Sequence, residues 1–106
     1  MSQPDLGEIL ARAQAMQGRL EELQRGLALR TVEASAGGGM VTAVATGALR
    51  IRELRIEPAL LETGDREMIQ DLTAAAVNAA LGAAERLVQE EMQRAAGIPL
   101  GPPPGR

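Results

Sequence analysis

The 106-residue chain has no Cys, His, Lys, Phe, Tyr or Trp. Without Cys or His it cannot build a zinc or copper site on sulfur or imidazole, a thiol nucleophile, or a triad with an imidazole base. Without Lys it has neither a Walker-type phosphate loop nor a Schiff-base lysine. The missing aromatics largely exclude the base stacking that holds single strands with little sequence preference. Long apolar runs are also absent, Ala74 to Val77 being among the longest, so neither a signal peptide nor a membrane span is expected. Nothing in the Cys count points to an oxidising compartment, and a soluble cytoplasmic protein is the expectation.

Carboxylates, Arg and seven hydroxyls (two Ser, five Thr) remain, and the hydroxyls have no evident activating base. Binding is therefore expected rather than catalysis, with no cofactor and no metal. The net charge of −3, from 11 Arg against 14 acidic residues, means that any phosphate binding is local. The core must come from 14 Leu, five each of Ile, Val and Met, and 19 Ala. A single domain of this size buries only about two-thirds of its unfolded surface, so association with a second copy is an attractive route to further burial.

From about Asp5 to Ala28, apolar residues stand at Leu6, Ile9, Ala13, Met16, Leu20, Leu23 and Leu27, alternately three and four apart. Three such heptads predict an amphipathic helix, roughly 35 Å long at ~1.5 Å per residue, with a seam suited to coiled-coil pairing. Asp5 and Glu8 resemble a capping box. Between Leu29 and Glu57, β-branched residues punctuated by Gly37, Gly38, Gly39 and Gly47 predict three strands joined by hairpins: Leu29–Ser35, Met40–Thr46 and Leu49–Glu57. The alternation in the third strand slips near Arg52 and Glu53, which a β-bulge would reconcile. After Pro58, a polar turn through Thr63, Gly64 and Asp65 leads to a second long helix, about Arg66–Ala96. Its stripe is Ile69, Leu72, Ala76, Ala80, Ala83 and Leu87. Gly97 is the expected stop. The pattern gives one domain over residues 1–96 and a disordered Pro/Gly-rich tail over 97–106.

These elements carry motifs: Ala13-Gln14-Ala15-Met16-Gln17, Gly37-Gly38-Gly39-Met40-Val41, Thr46-Gly47, Ile56-Glu57-Pro58, Leu60-Leu61, Glu67-Met68, Asp71-Leu72 and Ala75-Ala76-Val77-Asn78. At these separations the chain resembles the YbaB/EbfC family of bacterial nucleoid-associated proteins over nearly its whole length. The resemblance implies an α+β fold, a homodimer with projecting helical arms, and binding of double-stranded DNA with low sequence preference, contributing to nucleoid organisation and gene regulation. Family members commonly carry Lys on the first helix and after the glycine turn; this chain has no Lys and places Thr42 after Val41.

The candidate DNA contacts are Arg12, Arg19 and Arg25 on the first helix and Arg86 and Arg94 on the second. Arg50, Arg52 and Arg55 are secondary or structural. The ordinary alternative for the first three is intrahelical pairing, Arg12 with Glu8, Arg25 with Glu21 and Arg19 with Glu22, worth a few tenths of a kcal/mol each. The dimer or packing set is Leu6, Ile9, Met16, Leu20, Leu23, Leu27, Val41 and Ile56, and the seam can pack within or between chains. The triple glycine precedes a strand rather than a helix and lacks a Lys, so a hairpin is expected instead of a phosphate loop. Asp65, Glu67 and Asp71 read as an acidic helix start, and Asn78 as a buried packing residue. A competing reading is a dimeric adaptor or accessory to replication or recombination proteins, with little direct DNA binding.

Overall fold

The computed structural model describes residues 5–97. Six elements follow in order: α1 (Leu6–Leu29), β1 (Thr31–Ala36), β2 (Val41–Thr46), β3 (Ile51–Ile56), α2 (Pro58–Glu62) and α3 (Arg66–Ala95). The strands form an antiparallel meander in the order β1-β2-β3, as the alternating pattern predicts. The tail expected from residue 97 lies, from residue 98 onward, outside the described residues.

Local chemistry sets the boundaries. Asp5 caps α1 by accepting the Gly7 N–H at 2.7 Å, while Glu8 turns to Arg12 instead of closing a capping box. Gly37, Gly38 and Gly39 all have positive φ and turn β1 into β2, where other residues would be strained. A Cβ on Gly37 would also come within 2.7 Å of Leu72. The bulge in β3 falls at Arg52: Val44 pairs with Glu53 and Ala45 with Ile51, so Arg52 has no opposite number. Asp65 caps α3 by accepting the Met68 N–H at 3.0 Å. Gly97, at φ 77, stops it.

Some boundaries depart from expectation. The first helix runs through Leu29, and β1 starts only at Thr31. The third strand loses both ends: Leu49 sits in the turn at φ 62, rare for a bulky residue, and Glu57 caps α2. α2 fills the stretch after Pro58, ahead of the polar turn at Thr63, Gly64 and Asp65. Pro58 suits a first helical position because no donor is needed there, and Leu60 drops fully buried into the core. Five residues are too few to show a helical period.

The core lies between one sheet face and α3. Val41, Ala43 and Ala45 of β2 meet Ala76, Ala80 and Ala84 of α3, joined by Leu60. Alanines on both sides let helix and sheet approach closely. α3 covers β1 and β2 and barely reaches β3, so Ile51 and Leu54 remain exposed. Asn78 points away from this core and is exposed, contrary to expectation. It stands about half a turn from the Ala76–Ala80–Ala84 row, and small neighbours on every side hide that phase from the sequence.

Among the described residues, α1 is buried against the body at its root. Leu27 is buried and Leu23 half-buried, whereas Leu6, Ile9, Met16 and Leu20 are exposed, Leu6 at 71%. The Gly47 N–H donates to the Arg30 carbonyl at 3.1 Å. Gly47 also packs so tightly on the Leu27 carbonyl that a Cβ would overlap it. The result is an elongated chain with a Cα radius of gyration of 20.6 Å, against about 13 Å for a compact chain of this length.

Candidate nucleic-acid interface

The arginines fall into three settings. Arg55 is structural: on the open face of the sheet it donates to Glu53 at 2.8 Å and to Glu33, across β2, at 2.9 Å. Hydrogen bonding to Glu53, then the charges of Glu53 and Glu33, holds its guanidinium above the usual arginine value. Arg50 in the turn and Arg52 at the bulge lie apart from that network and form no ion pair among the described residues.

The second setting is one flank of α1. A helix advances about 100° per residue, so Arg12 and Arg19 stand in one row beside the apolar seam, with Arg30 at the C-cap beyond them, while Arg25 lies on another face. Arg12 pairs with Glu8 at 3.0 Å. The expected pairs of Arg19 with Glu22 and Arg25 with Glu21 do not form, and both arginines lack an ion pair among the described residues. Arg19 lines three adjoining concavities: one with Arg12 and Met16, one with Leu20, Leu23 and the end of α3, and one with Gly26, Arg30 and Glu91.

The third setting is the far end of α3. Arg94 pairs with Glu91 at 2.6 Å, and the same carboxylate oxygen receives Arg30 from the root of α1 at 3.5 Å. Arg86 forms no ion pair among the described residues and borders a shallow groove with Gly47, Leu49 and Gly82. Of the sequence-based candidates, α1 thus aligns Arg12 with Arg19, and the α1–α3 junction sets Arg19 in one groove with Arg30 and Glu91, the carboxylate that pairs with Arg94. Arg25 stands outside that row.

Arg30 and Glu91 were not among the expected site residues. Arg30 follows Arg19 by 11 residues, three helical turns. Because Arg30 itself is extended, at the C-cap of α1, helical spacing alone does not attach it to the row. Glu91 meets Arg30 only because the fold joins positions 61 apart in sequence. The packing candidates divide similarly. Leu27 and Val41 are buried and Leu23 and Ile56 partly so within the chain, whereas Leu6, Ile9, Met16 and Leu20 stay open.

No group of three or more acidic residues suited to a metal ion occurs among the described residues, and no helix among them is long and apolar enough to cross a membrane.

The model of the YbaB/EbfC DNA-binding family matches residues 2–98. A nucleoid-associated protein of Acetivibrio thermocellus is 46% identical over 101 residues, 95% of this chain and 88% of that protein. One from Chlorobaculum tepidum is 39% identical, covering 96% of this chain and 90% of its own length. An uncharacterized protein from Helicobacter pylori shares the fold, with a TM-score of 0.73 at 23% identity over 87% of this chain and 97% of that one.

Proposed function

We propose, since the chain belongs to the YbaB/EbfC DNA-binding family, that it acts as a homodimer whose helical arms hold duplex DNA with low sequence preference, organising the nucleoid and influencing gene expression. Membership places it among DNA-binding proteins rather than enzymes. The observation that carries the proposal is Arg19: it forms no ion pair among the described residues and lies at the centre of a basic row on a helix leaving the body. Arginines so placed suit phosphates, which give affinity without base readout. Arg12 joins the row once a phosphate displaces Glu8 from an exposed, weak pair.

Exposed apolar side chains support a second copy. Leu6, Ile9, Met16 and Leu20 on α1, with Ile51 and Leu54 on β3, remain open in the single chain. Extended apolar patches of this kind mark association surfaces. Pairing would also place two basic rows on one assembly, increasing the number of phosphates engaged.

Duplex titrations at several salt concentrations, with wild type, Arg12→Ala and Arg19→Ala, test the reading alongside light scattering. Log affinity is expected to fall linearly with log salt at about −0.9 per phosphate engaged. Arg19→Ala should weaken binding evenly across sequences and make the slope shallower by about 1 per chain, about 2 for a dimer that engages both rows. No binding at low salt, or binding indifferent to both substitutions, overturns the role of the arms. A scattering mass of one chain at micromolar concentration overturns the dimer.

A further inference from the structure

We propose that Arg30 and Arg94 form a phosphate site for the backbone of duplex DNA, and that Glu91 fills this site as an internal stand-in while the protein is free. The proposal rests on the DNA-binding reading above. Two guanidinium groups from different elements, one at the root of α1 and one in the last turn of α3, converge on one Glu91 oxygen at 3.5 and 2.6 Å. A phosphodiester oxygen is an acceptor of the same kind, and arginines arranged around one anion suit another.

The surroundings favour exchange. Arg30 and Arg94 are 54% and 62% exposed, and Glu91 is 21% exposed at the wall of an open groove. Gly26, on the same wall, leaves free space where a side chain would otherwise stand. The groove continues to Arg19, so a phosphate at Arg30 would belong to a strand whose neighbouring phosphates run along the basic row. A pair this exposed is weak, while the duplex presents one negative charge per ~1.7 Å of axis. Glu91 therefore opposes binding and makes occupancy depend on ionic strength.

The test compares wild type, Glu91→Gln, Glu90→Gln and Arg30→Gln in salt-dependent titrations of one duplex. Glu90→Gln removes the same charge from an adjacent exposed residue that forms no ion pair among the described residues. Glu91→Gln should bind about three- to tenfold more tightly than wild type. Glu90→Gln should stay within about twofold, the scale of a general charge effect. Arg30→Gln leaves the Glu91–Arg94 pair in place and should bind at least about threefold more weakly, from loss of one phosphate contact per chain. Equal behaviour of the two Glu variants, or unchanged affinity in Arg30→Gln, overturns the site. Absence of duplex binding by wild type overturns the functional reading itself, a different result from wild-type binding that ignores residue 91.

Discussion

The two long helices carry apolar stripes of similar period and opposite fate. The α3 stripe is built mainly of alanine at its centre and is completely buried there, at Ala76, Ala80 and Ala84. The α1 stripe is built of Leu, Ile and Met and is mostly exposed. Size therefore runs against the usual expectation, with small residues inside and large ones outside. Burial depends on what lies opposite: this chain has one sheet face to offer, α3 occupies most of it, and close approach to Ala43 and Ala45 suits alanine. A helical period identifies an apolar face but says nothing of which molecule supplies its counterpart.

Removing the same side chain from each region sharpens the contrast most. Leu60→Ala, at a fully buried core position, should cost about 2–5 kcal/mol in denaturant unfolding. Leu20→Ala, on the exposed stripe, should change unfolding of the dilute chain by no more than about 0.5 kcal/mol. Equal costs would show that α1 packs within its own chain.

Adding a methyl group gives the next largest contrast, with opposite signs. Gly47→Ala forces a Cβ into the Leu27 carbonyl and should destabilise by about 1–3 kcal/mol. Gly18→Ala lies mid-helix on α1 with no neighbour within 4 Å of the new atom, and should stabilise by about 0.5–1 kcal/mol through helix propensity. Thermal unfolding of both variants checks the signs.

The smallest effect belongs to the open sheet face. Arg55→Ala should lower the melting temperature slightly at low salt and leave it nearly unchanged at high salt, because Glu33 and Glu53 hold Arg55 through exposed, screened pairs. Both carboxylates raise the guanidinium's pKa. Its contribution is therefore present below the unfolded arginine value and lost only as pH rises past the folded one, in strong alkali. At ordinary pH the arginine stays charged, and salt is the informative variable.

Regular elements were the most legible from sequence. The heptad spacing located α1, the glycine turn located the first hairpin, and the phase slip beside Arg52 located the bulge within one residue. α2 was not legible because its helix is shorter than the period needed to recognise one. Among the arginines, the sequence sets Arg12 and Arg19 on one helix flank through their seven-residue spacing. It did not reveal the Arg30–Glu91–Arg94 cluster, whose members meet only after the sheet folds back the chain, nor that Arg19 would decline its neighbouring Glu22.

The root of α1 has a mechanical consequence. A helix of 24 residues, about 36 Å long, is clamped at one end where Gly47 meets Leu27. Buried Leu27, the Gly47–Arg30 hydrogen bond and the Arg30–Glu91 ion pair hold the same end. A rotation of only about 5° there sweeps the free tip through ~3 Å along that length. Packing at the Gly47 hairpin therefore sets the position of a tip that lies a full arm's length away.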